Sequence, residues 1–231
     1  MKFIGLITAM NEEFEQIAEI MENIEKVNIK GLNFYKGKIK NKNVVSVQCG
    51  IGKVNAARVT QLLIDCFDIE SIVNLGAAGA LNPMLSIGDI VIGKKVIQHD
   101  FDITAFGHAK GYITGVGDYL SSDFNLIDKM KKSIDNVNDR AYIIKTGIIA
   151  SGDIFCTDIA MKDKIYAKFS ADCVEMEAGA VAQVCVLNRV PFLILRSISD
   201  CPNGKNAMVF DEFVKLASKR CAKVIEEFLT E

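Results

Sequence analysis

The chain has 231 residues, half of them apolar, and a formal net charge of −2. This length suits one domain with a large core, which we expect to span 1–231. Interspersed charges argue against a nucleic-acid-binding protein, and the lack of any run of ~18 apolar residues argues against a membrane span.

The hydrophobic period alternates between strand-like and helix-like along the chain. Strands are predicted at residues 3–10, 32–39, 44–49, 72–75, 90–97, 142–150, near 174 and at 192–198. Helices are predicted from residue 11 to Ile24 and at 54–67, 123–134, 158–169, 178–187 and 210–228. This alternation predicts an α/β protein, a three-layer α/β/α sandwich with a central mixed, largely parallel twisted sheet.

A long segment at residues 99–121, here named the 99–121 loop, departs from this alternation. It contains glycines and shows little periodicity, as functional lids and partner contacts often do. Its apolar side chains, Phe101, Ile103, Phe106 and Tyr112, lack a helix or strand pattern that would bury them. Exposed apolar clusters commonly mark interfaces, so we expect a homodimer.

Polar and glycine-rich segments follow six of the predicted strands. They are residues 10–13, 49–53, 75–79, 151–155, 175–177 and 196–200. In open α/β sheets, ligands bind beyond the carboxyl ends of the strands. The six segments are therefore predicted to converge on one crevice.

Each of these segments also has a structural explanation. Glu12 and Glu13 open a helix, where acids interact favourably with the helix dipole. The glycines of GIG and GAAG are compatible with tight strand-to-helix turns, and Phe155 with a core or turn position. Neither glycine motif is G-x-G-x-x-G, so a dinucleotide site is not supported.

Two segments point more strongly to function. Arg196 interrupts an otherwise apolar strand that Asp200 closes, and a buried guanidinium needs a carboxylate, a phosphate or a site to face. Glu175 and Glu177 lie in a mostly apolar run, on one side of the chain if it is extended. Buried acids are costly unless they are paired or functional.

The cysteines and the N-terminus favour a cytoplasmic protein. The seven cysteines are scattered, without a C-x-x-C pair, which is typical of reduced core residues. His99 and His108 are the only histidines and are not near a cysteine pair, so no metal site is expected. The first ten residues contain one lysine and lead into an acidic helix, unlike a secretory signal.

Ordered motifs along the chain resemble those of the 5′-methylthioadenosine/S-adenosylhomocysteine nucleosidases of the nucleoside phosphorylase superfamily. They are AMNEEFE, CGIGKVNAA, LGAAGAL, IGDIVI, HDFDITAFG, SGDIF, VEMEAGAVAQVC, PFLILRSISD and FDEF. The resemblance implies hydrolysis of the N-glycosidic bond of an adenine thionucleoside. It implies no cofactor and no metal.

The same resemblance implies roles for the reacting groups. Glu13 would be the base that activates the attacking water, and Asp200 the acid that protonates purine N7. Arg196 and Ser199 would orient the water and the catalytic acid. Such chemistry requires an acid and a base in different protonation states, near an oxocarbenium-like transition state.

Further positions are implied to bind the substrate. Glu177 would hold the ribose hydroxyls with the Met176 backbone, beside the second acid Glu175. Phe155 would stack on adenine, and the backbone near Cys156 would read the edge of the base. The residues implied to line the apolar 5′-alkylthio pocket are Met10, Ile51 and Phe210, with Ile103 and Phe106 closing it from a second subunit.

The chain departs from the family pattern at two positions. Ala77 occupies the place of a serine whose hydroxyl helps to fix the water, in what we expect to be a turn between Gly76 and Gly79. Asn11 replaces the first of three successive glutamates. Because Glu13 is retained, activity is still expected.

Three other functions are compatible with parts of this pattern. A purine nucleoside phosphorylase needs cationic side chains around phosphate, whereas the first strand here ends in Asn-Glu-Glu. A nucleosidase for 6-amino-6-deoxyfutalosine is the second alternative, because its substrate contains the same adenine and ribose groups. A non-catalytic nucleoside-binding protein is the third alternative, and Ala77 is the one feature in its favour.

Overall fold

The computed structural model of the protein describes residues 1–137, 142–200 and 210–230, with the side chains of these residues except 210–212. The strands are β1 (Phe3–Thr8), β2 (Glu22–Ile29), β3 (Leu32–Ile39), β4 (Lys42–Gln48), β5 (Ile69–Ala80), β6 (Ile90–Gln98), β7 (Leu120–Ser121), β8 (Ile144–Ser151), β9 (Cys173–Glu175) and β10 (Phe192–Asp200). The helices are α1 (Asn11–Glu19), α2 (Lys53–Cys66), α3 (Phe124–Val137), α4 (Ile159–Phe169), α5 (Ala178–Asn188) and α6 (Phe210–Phe228).

These strands form one ten-stranded mixed sheet. From the edge strand β2 the order runs through β3, β4 and β1 to β5, which pairs with both β9 and β10. Strands β6 and β8 connect β10 to β9, so five strands close on themselves. Parallel pairs join β1 to β4 and β5, β5 to β10, β6 to β8 and β8 to β9.

The sheet lies between two groups of helices. Alternate residues of a strand point to opposite faces, so in β5 Ile72 packs with α2 and α5, whereas Val73 packs with α1, α3 and α6. Residues of β10 alternate in the same way, with Ile194 on the first face and Leu195 on the second. The predicted three-layer α/β/α sandwich is confirmed.

The predicted helix at the N-terminus is shorter than expected. Helix α1 ends at Glu19, and Ile24, which we expected on its apolar face, lies in β2 and is 46% exposed. Strand β2 pairs antiparallel with β3, and Glu25 forms an ion pair with Lys36 at 2.8 Å. Pairing with β3 therefore overrides the local helical period.

The GAAG segment is also not the turn that we expected. Gly76 to Gly79 lie inside β5, where they pair with Arg196 to Asp200 of β10. An ideal Cβ at Gly76 would lie 2.5 Å from Oε1 of Glu13. These glycines are required because acidic side chains approach the strand closely, and no left-handed turn is involved.

The 99–121 loop contains little regular structure, as predicted. It holds one short turn of 3₁₀-helix at Thr104–Phe106, an isolated bridge between Ile113 and Gly117, and β7 at its end. The Phe106 side chain is 81% exposed, whereas Ile103 is half-buried.

Across the described ranges, no helix is both long enough and apolar enough to cross a bilayer. The six cysteines that the structure describes are free thiols.

Candidate active site

One cavity of about 350 Å³ opens where the six predicted segments meet. Its wall is formed at the carboxyl ends of β1, β4, β5, β8, β9 and β10. The residues that line it are Ala9, Met10, Glu13, Ile51, Ala77, Ala78, Gly79, Ile154, Phe155, Cys156, Val174, Glu175, Met176, Glu177, Ser199 and Asp200. The predicted convergence on one crevice is therefore present.

Glu13 lies on the cavity wall, and backbone amides hold its carboxylate. Oε2 accepts hydrogen bonds from the backbone N–H groups of Ala9 (2.8 Å) and Met10 (3.0 Å), and Oε1 accepts one from Ala77 (2.9 Å). Met10 is the N-cap of α1 and Glu13 its third residue, so the bond to Met10 also caps the helix. The side chain is 3% exposed.

Burial raises the pKa of Glu13 above its ordinary value, because the charged form is poorly solvated. The backbone N–H of Ala77 and then that of Met10 oppose this rise, and the charge of Arg196 adds to the opposition. The raised pKa makes the carboxylate a stronger base than an exposed glutamate, and the amides fix its direction.

Arg196 is 1% exposed and lies behind the cavity wall. Its Nη2 donates to Oε2 of Glu175 and to Oδ1 of Asn74, both at 2.5 Å, and its Nη1 donates to the carbonyl oxygens of Asn74 and Leu195. Glu175 and Asn74 engage Nη2 of the guanidinium, whereas Nε has no hydrogen-bond partner among the described residues. Paired in this way, the buried charge is compensated. The role of Arg196 in orienting the attacking water stays a prediction.

Glu175 connects Arg196 to the turn that carries Glu177. Its Oε2 also accepts from the backbone N–H groups of Glu177 (3.1 Å) and Ala178 (2.8 Å) at the start of α5. The chain is not extended from Glu175 to Glu177, so the condition under which the two acids would share one side of a strand is not met. Strand β9 ends at Glu175, and the φ and ψ of Glu177, −130° and −40°, already turn the chain into the helix.

Glu177 faces the cavity as a second buried carboxylate. Its Oε1 accepts from the backbone N–H of Gly52 at 2.8 Å, in the GIG segment, where Gly52 has a φ of 99° that favours glycine. Burial, followed by the charge of Glu175, raises the pKa of Glu177 to about 8.

Asp200 ends β10 on the same cavity, with its side chain 21% exposed. Its Oδ1 accepts from Ser199 Oγ at 3.2 Å, and its Oδ2 accepts from Lys162 Nζ at 2.5 Å. The Ser199 hydroxyl also lies 3.3 Å from the carbonyl oxygen of Ala78, and the Asp200 carboxylate packs on Gly79.

The remaining wall is mostly apolar. Phe155 is 58% exposed and Ile51 is 55% exposed at the mouth, whereas Cys156 is buried. Met10 and Met176 are half-buried. An apolar wall with a few fixed polar groups is typical of small-molecule sites.

Besides Arg196, three predicted residues are not among the described residues that line this cavity. Ile103 and Phe106 lie on the 99–121 loop and do not line it. Phe210 begins α6, but its side chain lies outside the described residues.

Two polar residues that bind charged side chains of the site were not predicted from the sequence. Asn74 interrupts the apolar strand β5 and accepts hydrogen bonds from Arg196, so a buried amide in a strand was the available signal. Lys162 lies on the same helical face as the buried Ile165 and Phe169, three and seven residues later, so a lysine on an apolar face was the signal. Within the described ranges, no group of histidine, cysteine and acidic residues could hold a metal ion.

Comparisons with known proteins show which proteins the chain resembles in sequence and fold. The sequence profile of the phosphorylase superfamily matches residues 3–230. The 5′-methylthioadenosine/S-adenosylhomocysteine nucleosidase of Staphylococcus carnosus is 40% identical over 227 residues, covering 98% of each chain. The nucleosidase of the same name from Neisseria meningitidis, solved with methylthio-immucillin-A, is 36% identical and covers 100% of this chain and 99% of its own, with a TM-score of 0.95. Futalosine hydrolase of Helicobacter pylori is 32% identical and covers 99% of this chain and 97% of its own, with a TM-score of 0.92.

Proposed function

Because the chain belongs to the 5′-methylthioadenosine/S-adenosylhomocysteine nucleosidase family of the phosphorylase superfamily, we propose that it hydrolyses the N-glycosidic bond of these two adenine thionucleosides. The products are adenine and the corresponding thioribose. The observation that carries the proposal is the pair of carboxylates, Glu13 and Asp200, on one mostly apolar cavity. One can accept a proton while the other donates one.

Glu13 is the base of the proposed reaction. Its carboxylate removes a proton from water as the water oxygen bonds to C1′ of the ribose. Burial strengthens this base, and three backbone amides keep both oxygens in place before the substrate arrives. The group therefore needs little reorganisation when charge develops in the transition state.

Asp200 is the acid. As the C1′–N9 bond breaks, its electron pair moves onto adenine, and N7 takes a proton from Asp200. Adenine then leaves as a neutral molecule. Ser199, which donates to Oδ1 at 3.2 Å, orients this carboxyl group.

The substrate occupies the cavity between these two groups. Glu177 accepts hydrogen bonds from the ribose hydroxyls, next to the backbone of Met176 and supported by Glu175. Phe155 stacks on the adenine, and the backbone at Cys156 contacts the edge of the base. In the apolar 5′ region the proposed contacts are Met10, Ile51 and Phe210.

The lining favours water over phosphate as the nucleophile. It carries four acidic side chains, Glu13, Glu175, Glu177 and Asp200, and its described residues include no lysine or arginine. A phosphate dianion next to the deprotonated Glu13 would be repelled, since like charges at close range raise the energy in a weakly solvated site.

We propose that two copies of the chain form a homodimer, with Ile103 and Phe106 of each closing the 5′ region of the other. The 81% exposure of the Phe106 ring supports this arrangement, because a large apolar side chain is then available to a partner. A chain that sediments as a monomer at micromolar concentration and is still fully active would rule the homodimer out.

We also propose a cytoplasmic location, since free thiols such as the six described are common in reducing compartments.

The test of the activity is adenine release from methylthioadenosine in phosphate-free buffer. Turnover without phosphate supports the nucleosidase, whereas a requirement for phosphate would show a phosphorylase. Tight binding without turnover would show a non-catalytic nucleoside-binding protein. Parallel assays with S-adenosylhomocysteine and 6-amino-6-deoxyfutalosine rank the substrates.

A further inference from the structure

Lys162 is a buried cation next to the proposed catalytic acid. It lies in the second turn of α4 and is 2% exposed, on the face that also buries Ile165 and Phe169. Its ammonium donates to Oδ2 of Asp200 at 2.5 Å. Lysines are rarely buried without a compensating partner, so the charge of the Lys162 ammonium is stabilised by protein groups and not by water.

The ion pair fixes the carboxyl group of Asp200 from a second direction. Lys162 binds Oδ2, while Ser199 donates to Oδ1 at 3.2 Å. The carboxyl group also packs on the backbone of β5, because an ideal Cβ on Gly79 would lie 3.0 Å from Oδ1. With both oxygens bound and one side against the strand, the carboxyl plane has little freedom to rotate.

We propose that Lys162 is a positioning residue that acts through Asp200 during protonation of the leaving group. The inference rests on the proposed function. When N7 takes the proton from Asp200, a full negative charge remains on the carboxylate, next to the Lys162 ammonium. In the free protein the pair is ionic, and Asp200 takes up a proton from solvent before the C1′–N9 bond breaks. The attraction to Lys162 is stronger after that proton has passed to N7 than with the neutral acid, so it favours the transition state over the protonated complex.

Lys162 also joins the acid to the segment that contacts the base. Helix α4 follows directly after the loop that carries Phe155 and Cys156, and Cys156 Sγ lies 3.7 Å from Sδ of Met161, beside Lys162. Lys162 therefore lies close in the chain to the residues proposed to contact adenine.

The kinetic test uses Lys162→Met and Lys162→Gln, which remove the charge, and Lys162→Arg, which keeps it. The matched control is Lys164→Met, because Lys164 lies on the exposed side of the same helix. With methylthioadenosine we expect kcat of the neutral variants to fall about 10- to 100-fold, the scale of a weakened general acid. We expect KM to stay within about threefold, because uniform substrate binding is untouched.

The variants separate positioning from a structural role. Lys162→Arg should retain more turnover than either neutral variant, and Lys164→Met should match the wild type. Folded neutral variants with unchanged kcat, or a raised KM with unchanged kcat, would overturn the inference. If neither neutral variant folds, a kcat of Lys162→Arg as low as that of Asp200→Asn would overturn it instead. Wild-type protein without turnover on any adenine nucleoside would overturn the proposed function as well.

Melting temperatures test the ion pair without reference to activity. Each single replacement removes the group that the other charge faces, so the effects of Lys162→Met and Asp200→Asn should not be additive. We expect the double variant to melt higher than the sum of the two single shifts predicts. Additive shifts would show that the pair does not exist in solution and would overturn the inference.

Discussion

Replacing Gly76 with alanine tests whether the close approach of Glu13 to β5 is needed for activity. The new methyl group would lie 2.5 Å from Oε1 of Glu13 and 2.9 Å from its Cδ, about 0.9 Å short of the 3.4 Å at which ordinary contact begins. The carboxylate cannot retreat freely, because Ala9, Met10 and Ala77 hold it. Either the base or the strand must therefore move.

The size of the effect follows from this displacement. Moving Oε1 by nearly 1 Å lengthens its 2.9 Å bond to Ala77 beyond hydrogen-bond range. Losing one hydrogen bond to a charged group costs about 1.5–3 kcal/mol of stability. A misplacement of about 1 Å in a catalytic group costs about 100-fold in rate. We expect kcat for methylthioadenosine to fall about 100-fold, with a smaller change in KM.

The assay is adenine release together with thermal unfolding, and Gly5→Ala in β1 is the control. A methyl group at Gly5 would lie 3.2 Å from Ile72 Cγ1 and 3.4 Å from Leu63 Cδ1, apolar side chains that can shift by a few tenths of an ångström. That variant should keep wild-type turnover with a small change in stability. A Gly76→Ala enzyme with kcat within threefold of the wild type would refute the reasoning.

Four further predictions concern the cavity. Glu13→Gln and Asp200→Asn should each lower kcat at least ~100-fold while binding weakens far less; near-normal turnover would refute the assigned role. The pKa of Glu177 is raised from 4.5 to about 8, so its stabilising contribution is present below about pH 4.5 and is lost as pH rises through about 8. The melting temperature should therefore fall less between pH 5 and pH 8.5 in Glu177→Gln than in the wild type, and equal slopes would contradict this. Ala77→Ser restores a hydroxyl worth about 0.5–1.5 kcal/mol and should hydrolyse at an equal or higher rate; a several-fold loss at unchanged stability would show that the methyl group is required. Phe106→Ala should weaken methylthioadenosine binding more than adenosine binding. Equal losses of affinity would show that the ring does not contact the 5′ group of the substrate.

The position of the site could be predicted because strand ends are visible in the sequence. Each apolar run that ends in polar or glycine-rich residues is a strand followed by a loop, and parallel strands place these loops at one edge. All six predicted segments contribute to the cavity wall. The apolar positions of the last helix, from Val214 to Phe228, are likewise buried as their spacing predicts.

Features that depend on tertiary pairing were not predicted. The segment around Ile24 has a helical period, but its hydrogen bonds go to β3, and nothing local in the sequence encodes that partner. The GAAG glycines resemble a turn, whereas Gly76 and Gly79 give space to Glu13 and Asp200, which come from distant parts of the chain. The local sequence pattern indicates which residues are unusual, whereas their roles depend on tertiary contacts.

The interactions of Arg196 were partly predictable. A buried guanidinium requires a partner, and Glu175 was the correct kind of group in a neighbouring segment. The sequence did not indicate that Glu175 would use Oε2 for the guanidinium and for two backbone amides at once. That arrangement depends on the turn between β9 and α5.

The anchoring of Glu13 has a consequence for inhibitor resistance. Its three hydrogen bonds come from the main chain of Ala9, Met10 and Ala77. Exchanging the side chain at any of these positions leaves the N–H group in place, and of the natural residues proline alone removes it. For an inhibitor that binds the Glu13 carboxylate, side-chain substitutions at these three positions other than proline therefore leave the hydrogen bonds that hold this carboxylate in place. Escape from such a compound would come from cavity residues whose side chains make the contact, such as Met10 and Ile51 in the proposed 5′ region.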